Sequence, residues 1–403
     1  MEKEFDIIIV GARAAGASLA ILLGRMGKRV AVIDKAKFPS DTLSTHHMSH
    51  LHYLRELGVL QEVEKTGLRK ITRMRTYIGE SFVEGPRASY TLIPRRKHLD
   101  QVLLEKALTY ETIVMKEETF VSDLLWEAGQ VTGVCTVNKQ GESEQITADI
   151  VVGADGRNSA IARWVKAEEY HTERPLRPVF YGYYKGVQPL IEPATEIFLN
   201  EGRVGFLFPM EEGMDCLGLE IHPEEFKTFT EDPQQVFEQT YRNFYQMETR
   251  LKQAELEGKM IFTPGVPNFF RQSFGSGWVL LGDAAHSKDP STGLGINDAF
   301  MQSFLLADAI QRHDQGEKWQ ELMNQFNEKT DEQLMPGYQL TLDYVHSLRK
   351  WTTREKAIFQ SIAANPMVWN KIVPLLPDYL KQISPELYGA AEAEAKEFGF
   401  DGE

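Results

Sequence analysis

Gly11 and Gly16 are the first residues of this chain whose spacing could do chemistry. They fill the first and third positions of a G-x-G-x-x-G pattern; Arg13 stands in the second, and Ala15 precedes Gly16. In this pattern the first glycine allows a tight turn, the second lets backbone approach a pyrophosphate, and the third lets a helix pack closely. Arg13 should weaken the close backbone approach, although its guanidinium could contact a phosphate directly. The pattern predicts a dinucleotide site.

Asp34 is the carboxylate that such a site needs. It ends a second apolar run, about 20 positions beyond the glycines, where an acidic side chain binds ribose hydroxyls, and Lys35 follows it. An apolar strand before Gly11 and a helical pattern after it complete a β-α-β unit. The alternative is a buried helix that follows a strand and uses its glycines only for packing.

Two later motifs each place an aspartate after an apolar strand. The run ITADIVVGADGRNSAIAR contains Asp155, and the run GSGWVLLGDAAHSKDPSTGLGINDAF contains Gly282 and Asp283. The second run continues towards a helix expected to begin near Asn297, by way of Pro290, Gly293, Gly295 and Ile296. Taken alone, Asp155 could belong to a plain turn and Asp283 could simply cap a helix.

The three motifs, in this order, resemble those of the FAD-dependent monooxygenases of the para-hydroxybenzoate hydroxylase type. The resemblance implies that Asp283 hydrogen-bonds the ribityl chain of FAD. It also implies that residues 293–297, at a helix N-terminus, offer backbone N–H groups to the flavin. Asp155 would support both the pyrophosphate and the approach of NAD(P)H. FAD is therefore the expected cofactor, and NAD(P)H the transient electron donor.

The same resemblance implies three further cofactor neighbours. Arg96 matches the arginine of an R-x-x-L-D element that reaches the flavin's phosphate or ribityl region, ahead of a helix expected over 99–108; a solvated basic helix start is the alternative. The loop 38–50 runs along the cofactor in the family, which makes Thr45 a candidate, together with Thr42, Ser44 and His46. A hairpin turning at 128–129 would place Val121 beside the adenine.

The histidines of that loop invite a metal interpretation. His46 and His50 could share one helix face, but His47 would point elsewhere and no third ligand stands at a recognisable spacing. We therefore predict no metal site. No catalytic residue is predicted, because the sequence does not single out a general base.

Residues between the second and third motifs predict a sheet for the substrate. Alternating, aromatic-rich runs separated by glycine turns indicate antiparallel strands, and residues 71–94 should add a strand to them. Tyr181 and Tyr183 would project from one face, and Phe206 and Phe208 lie in a V-G-F-L-F-P run that resembles a segment beside the substrate cavity. These four residues are the predicted substrate pocket, although one face of the sheet must look toward the flavin ring while most of its aromatic side chains would be ordinary core.

The order of the expected strands and helices, together with the resemblance, predicts an α/β fold. It has a Rossmann-like FAD-binding domain, an antiparallel β-sheet substrate domain and a helical C-terminal region. The 403 residues are too many for one ordinary domain. The FAD-binding domain is expected to be discontinuous, from 1–70, 95–165 and 270–310, and the substrate domain to comprise 71–94 and 166–269. Residues 311–403 form the C-terminal region, with helices over 316–351 interrupted at Pro336-Gly337.

Composition narrows the partners and the compartment. Forty-four basic and 58 acidic residues give a net charge of -14, which disfavours nucleic acid and anionic membranes. The sequence contains no long uncharged apolar run, so no membrane span is predicted. Two cysteines without zinc or disulfide spacing, and an N-terminus without a signal-peptide pattern, predict a cytoplasmic protein. The oligomeric state is not predicted.

The expected reaction follows from the resemblance. It implies an NAD(P)H-dependent monooxygenase that hydroxylates an aromatic or apolar small molecule with O2, through a flavin C4a-hydroperoxide. Flavin-dependent halogenases are similar but carry a W-x-W-x-I-P element that is absent here. A reductase of prenyl double bonds is the enzyme alternative, although the P-C-G-G element usual in that group is missing. A non-catalytic FAD-binding or ligand-binding sensor is the alternative of another class.

Overall fold

The computed structural model describes residues 3–364 except 43, 45, 212, 349 and 351. In chain order the strands are β1 (Phe5–Val10), β2 (Val30–Ile33), β3 (Ile71–Ile78), β4 (Ser81–Thr91), β5 (Ile113–Lys116), β6 (Thr119–Glu127), β7 (Gln130–Asn138), β8 (Ser143–Gly153), β9 (Glu169–Glu173), β10 (Val179–Lys185), β11 (Thr195–Asn200), β12 (Arg203–Pro209), β13 (Met214–Glu220), β14 (Glu255–Thr263), β15 (Asn268–Arg271), β16 (Phe274–Gly275), β17 (Trp278–Leu280) and β18 (His286–Ser287). The α-helices are α1 (Ala14–Arg25), α2 (Leu51–Leu57), α3 (Leu60–Glu64), α4 (Arg96–Ala107), α5 (Ala160–Trp164), α6 (Phe226–Glu231), α7 (Pro233–Arg242), α8 (Met247–Arg250), α9 (Gly295–Asp314), α10 (Trp319–Ser347) and α11 (Thr353–Ala363).

The nucleotide-binding end is built on an eight-stranded sheet. Its central strands run β17-β8-β1-β2-β5 and are parallel to their neighbours, while the β6–β7 hairpin extends it beyond β8. The near-continuous apolar sequence of β1 suits a central parallel strand, because both of its faces are covered. The carboxyl ends of β1 and β8 therefore lie side by side, and the first two motifs meet there.

Helices cover one face of this sheet. Ile7 and Ile9 of β1 share an apolar core with α1, α4 and α9, whereas Ile8 and Val10 share a second core with the β6–β7 hairpin. Small residues at the start of α1 let it approach the sheet closely. Gly16 shows this directly, since a Cβ built there would lie 1.8 Å from the carbonyl oxygen of Gly11.

A seven-stranded sheet forms the other large layer. Its order is β14-β10-β13-β12-β11-β3-β4, and every pairing is antiparallel except that of β11 with β3. Residues 71–94 contribute two strands rather than the one expected. Phe180 and Tyr184 pack with α7 on one face, and Tyr181 and Tyr183 lie on the other, as alternation predicts.

The α/β architecture, with parallel and antiparallel sheets and C-terminal helices, confirms the predicted fold class. The division into domains at the residues given above stays a prediction. Among the described residues, no helix is long and apolar enough to cross a membrane.

The predicted interruption at Pro336-Gly337 is wrong, because α10 runs through both residues. A proline inside a helix removes one backbone hydrogen bond and bends the axis. Leu334 and Tyr338, on either side of Pro336, are buried in one apolar cluster with Phe270 and Met301, and this packing stabilises the helix on both sides of the proline. The proline-rich tail from 365 onward lies outside the described residues.

Two local predictions about helices also need correction. The helix expected over 99–108 begins three residues earlier, at Arg96, directly after the extended residue Arg95. His46 and His50 do not share a helix face, because the chain is irregular there and α2 begins only at Leu51.

Candidate flavin site

Two adjoining cavities run along the carboxyl ends of the central strands. The first has a volume of about 210 Å³ and the second about 450 Å³. They adjoin each other, because six residues border both of them. Those shared residues are Arg13, Arg96, Ala154, Gly156, Arg157 and Asp283.

The second cavity gathers the residues of the glycine pattern. Gly11, Asp34, Lys35 and Val121 all border it. Asp34 Oδ2 accepts a hydrogen bond from the backbone N–H of Ala12 at 2.8 Å, so the carboxylate is fixed beside the turn. Asp34, predicted to bind the ribose, and Val121, predicted to lie beside the adenine, are distant in sequence but border the same cavity.

Arg13 and Arg96 converge on one buried carboxylate. Asp100 has no exposed side-chain surface; it accepts from Arg13 Nη1 at 2.9 Å through Oδ2, and from Arg96 Nη2 at 3.0 Å through Oδ1. Arg13 also donates to Ser40, so its guanidinium is held towards the 38–50 loop. Asp100 was not predicted, although it is the aspartate of the R-x-x-L-D string and stands one helical turn beyond Arg96.

The two motif aspartates have different surroundings. Asp155 Oδ2 accepts the backbone N–H of Ala160 at 2.7 Å and so caps α5, while its buried Oδ1 has no partner among the described residues. Asp283 borders both cavities, and its side chain is exposed at their surface. Desolvation by the surrounding cavity walls raises the pKa of Asp283, and the charges of Arg96 and Arg157 partly oppose the increase.

The segment before α9 forms one wall of the first cavity. Pro290, Gly293, Gly295 and Ile296 border it, and Ala15 lies on the same cavity. A Cβ at Gly295 would have no described atom within 4 Å, so this glycine faces open space. The first N–H groups of a helix have no partner within the helix, and here they lie beside the cavity.

Asn297 is the third residue of the same helix and is not among the described residues that border either cavity. Its side chain is 4 % exposed, and neither its Oδ1 nor its Nδ2 has a hydrogen-bond partner among the described residues. Buried amide atoms are almost always paired in folded proteins. The position therefore has hydrogen-bonding capacity available for a bound group.

The 38–50 loop reaches the first cavity through Ser44 and His46. The backbone N–H of Ser44 donates to the Tyr181 hydroxyl at 2.6 Å, and Ser44 Oγ lies 2.8 Å from His46 Nδ1. Burial, with the nearby charge of Arg96, lowers the pKa of His46 to about 3. His46 is therefore neutral at physiological pH. The predicted neighbour Thr45 lies outside the described residues.

Of the four residues predicted to form the substrate pocket, Tyr181 borders the first cavity. Tyr183, Phe206 and Phe208 are buried in the core layer beside it and are not among the described residues that border it. Phe206 and Phe208 stack on each other with ring centroids 4.9 Å apart, and Arg95 covers the ring of Tyr183 at 4.5 Å. These contacts cover ring surfaces that were expected to face the substrate.

Other residues complete the cavity wall and were not predicted. Val179, Thr263, Val266, His286 and Lys288 belong to this group. His286 and Lys288 lie within the third motif, so their place beside the cavity could have been proposed from the sequence. Val179, Thr263 and Val266 carry no comparable signal.

Together, a parallel sheet with glycine turns at its carboxyl edge and a cavity running along that edge define a dinucleotide-binding α/β protein. More specifically, the chain belongs to the family described as FAD binding domain, whose model matches residues 4–334. It is an FAD-dependent oxidoreductase, and the resemblance stated from the three motifs is confirmed.

Individual relatives catalyse different reactions. The chain is 24% identical over 331 residues to a 1H-pyrrole-2-carbonyl-[peptidyl-carrier protein] brominase of Pseudoalteromonas luteoviolacea, covering 79% of this chain and 80% of that one. It is 27% identical over 327 residues to a digeranylgeranylglycerophospholipid reductase of Methanothrix thermoacetophila, covering 77% and 80%. The crystal structure of p-nitrophenol 4-monooxygenase PnpA from Pseudomonas putida DLL-E4 has a similar fold, with a TM-score of 0.77, 15% identity and coverage of 95% and 99%.

The residues present fit FAD. The two adjoining cavities suit an elongated ligand, Gly156 and Gly295 leave open space where a Cβ would stand, and Asp155, which borders the second cavity, holds a buried carboxylate oxygen without a described partner. Asp34 and Val121 would lie at the adenosine end, and Gly295 and Asn297 at the flavin end. These individual contacts stay predictions. Among the described residues, no cluster of histidine, cysteine and acidic side chains has the grouping needed to hold a metal ion.

Proposed function

We propose that this oxidoreductase is an NAD(P)H-dependent monooxygenase that hydroxylates an aromatic or apolar small molecule. The supporting observation is the first cavity, which is bordered both by the segment before α9 and by Val179 and Tyr181 of the seven-stranded sheet. A substrate lying against that sheet would be next to the predicted flavin position. In the balanced reaction, substrate, O2, NAD(P)H and a proton give hydroxylated substrate, NAD(P)+ and water.

The redox chemistry would come from bound flavin, which accepts a hydride and passes electrons to O2. The chain's own residues would bind the cofactor, orient the substrate and exclude water from the site. Arg13 and Arg96 would compensate the negative charge of a pyrophosphate within a chain of net charge -14. The N–H groups at the start of α9 would stabilise negative charge on the flavin side of the cavity. NAD(P)H would approach near Asp155.

Reduction of a prenyl double bond is the second candidate, and the similarity to the digeranylgeranylglycerophospholipid reductase favours it. That reaction consumes reducing equivalents but no O2. The absence of the W-x-W-x-I-P element argues against halogenation despite the similarity to the brominase. The third candidate function is a sensor that binds FAD but catalyses no reaction.

The test is to measure NADH and NADPH oxidation together with O2 uptake by the FAD-loaded protein, across phenols, aromatic polyketides and prenyl compounds. We expect an aromatic compound to stimulate both rates and to appear as a hydroxylated product. Hydrogen peroxide is measured in parallel, so that uncoupled oxidation is not counted as hydroxylation. Substrate reduction under anaerobic conditions would favour the reductase instead. FAD binding with no stimulation by any compound would refute the monooxygenase proposal.

A further inference from the structure

The hydroxyl group of Tyr181 has an unfilled hydrogen-bonding role. Its oxygen accepts the backbone N–H of Ser44 at 2.6 Å, and no described atom accepts its proton. The side chain is 1 % exposed, so bulk water does not satisfy that proton. Buried hydroxyl groups are nearly always paired, which makes an unpaired donor beside a cavity a candidate ligand contact.

The two neighbouring hydroxyl groups on this wall are already engaged. Ser44 Oγ lies 2.8 Å from His46 Nδ1, and Thr263 Oγ1 donates to the carbonyl oxygen of Gly265 at 3.0 Å. Val179 and Val266 add apolar surface beside them. A ligand in this part of the first cavity therefore meets apolar surface, the Tyr181 hydroxyl and the Nε2 atom of His46, which has no hydrogen-bond partner among the described residues.

We propose that the Tyr181 hydroxyl donates its proton to an oxygen of the substrate, so that the cavity selects molecules bearing a hydroxyl or carbonyl oxygen over pure hydrocarbons. This inference rests on the proposed function, because it requires the substrate to occupy the first cavity. The donor is fixed in place from two sides: its ring is anchored on β10, and its oxygen is held by the backbone of the 38–50 loop.

The protonation state agrees with a donor role. Burial, with smaller contributions from Tyr183 and Cys216, raises the pKa of Tyr181 well above its usual value, and the Ser44 N–H only partly opposes this. The hydroxyl thus keeps its proton throughout the physiological range. Tyr181 is assigned to binding and selecting the substrate, and not to removing a proton from it.

The test measures dissociation constants for a matched pair of ligands, naphthol and methylnaphthalene, on the FAD-loaded protein and its Tyr181→Phe variant. These ligands differ by a hydroxyl in place of a methyl group. We expect the wild-type protein to prefer naphthol by about tenfold, the effect of one buried hydrogen bond, and the variant to lose that preference. Any change in the loop caused by freeing the Ser44 N–H affects both ligands and cancels in the ratio.

Tyr184→Phe is the matched control. Tyr184 lies on the opposite face of the same strand, is equally buried, and its hydroxyl donates to Glu238 at 3.4 Å. Losing this hydroxyl should leave the naphthol preference intact. An unchanged preference in Tyr181→Phe, or an equal loss in both variants, would overturn the proposal.

The acceptor could also be a carbonyl oxygen of the flavin, and a separate measurement distinguishes this source. The dissociation constant of FAD is measured for the wild-type protein and Tyr181→Phe without other ligands. We expect less than a threefold difference. A loss of about tenfold in FAD affinity with an unchanged naphthol preference would assign the donor to the flavin and overturn the substrate assignment.

A prenyl pair separates failure of this inference from failure of the proposed function. If neither naphthalene compound binds, farnesol is compared with its hydroxyl-free hydrocarbon. A Tyr181-dependent preference for farnesol would retain the hydrogen bond while contradicting an aromatic substrate. No Tyr181-dependent preference in either pair would overturn the inference, whereas the O2-uptake measurements would still decide the reaction.

Discussion

Substitution of Gly11 by alanine tests how the first two motifs are joined. Gly11 has φ +108°, and a Cβ built there would lie 2.3 Å from the carbonyl oxygen of Ala154 and 2.7 Å from its carbonyl carbon. Both atoms are backbone, so no side chain can rotate away to make room. The backbone N–H of Ala154 donates to Val10 at 2.8 Å, which holds the two chain segments together at this point.

The expected cost has two parts. A residue other than glycine at positive φ costs about 1–3 kcal/mol. Overpacking against a rigid neighbour costs about 1–3 kcal/mol more. Gly11→Ala should therefore lower the free energy of unfolding by about 2–6 kcal/mol. Because Gly11 and Ala154 both border the second cavity, the displacement should also weaken FAD binding.

Gly129→Ala separates the two parts. Gly129 is in the β6–β7 turn with φ +82°, and a Cβ there would have no atom within 4 Å, so only the conformational cost applies. Urea denaturation with and without FAD gives the free energy of unfolding of both variants and the stabilisation that FAD adds. Gly11→Ala should lose more in both measurements. Equal losses in the two variants would refute the claim that backbone contact between the motifs shapes the site.

Three further predictions use other parts of the structure. Gly295→Ala should change the free energy of unfolding by less than about 1 kcal/mol, because the added methyl group enters open space, yet it should weaken FAD binding at least tenfold as measured by flavin fluorescence; unchanged affinity would place the flavin elsewhere. The pKa of His46 is lowered to about 3 in the folded protein, so its contribution to stability is complete above pH 6.5 and is lost as the pH falls towards 3. His46→Gln should accordingly reduce the slope of unfolding free energy against pH by up to about 1.4 kcal/mol per unit between pH 4 and 6, and an unchanged slope in urea titrations would contradict the burial of a neutral imidazole. Glu196→Gln should destabilise the protein by about 3–5 kcal/mol, because it leaves the 7 % exposed Arg250 without its carboxylate partner, while FAD content per folded chain stays unchanged. A cost below about 1 kcal/mol in urea denaturation would show that this ion pair is effectively solvated.

Sequence reasoning was most successful where a motif is short and its conformation is local. Gly11, Gly16 and Asp34 belong to the β-α-β unit that the apolar and helical patterns predict, and β1, α1 and β2 form this unit in the structure. The hairpin turn at 128–129 and the shared face of Tyr181 and Tyr183 on β10 are equally local properties.

It was least successful where a residue's environment comes from distant segments. Pro336 indicates a helix break, yet packing against Phe270, which is far away in sequence, keeps α10 continuous. Asp100 lies in the same R-x-x-L-D element as Arg96, but the element by itself does not indicate a contact with Arg13. Its role as shared partner of Arg13 depends on α1 and α4 packing side by side.

The sequence by itself determined the cofactor class and the α/β fold, because the three motifs reside in continuous segments whose glycines, aspartates and apolar runs specify their own turns and strands. Only the tertiary structure decided which side chains share a cavity. Alternation assigned Tyr181, Tyr183, Phe206 and Phe208 to candidate inward faces, but the packing of loop 38–50, Arg95 and the other aromatic rings left Tyr181 at the cavity wall. Periodicity fixes the face on which a side chain lies, whereas the elements packed over that face determine whether it meets a ligand or core.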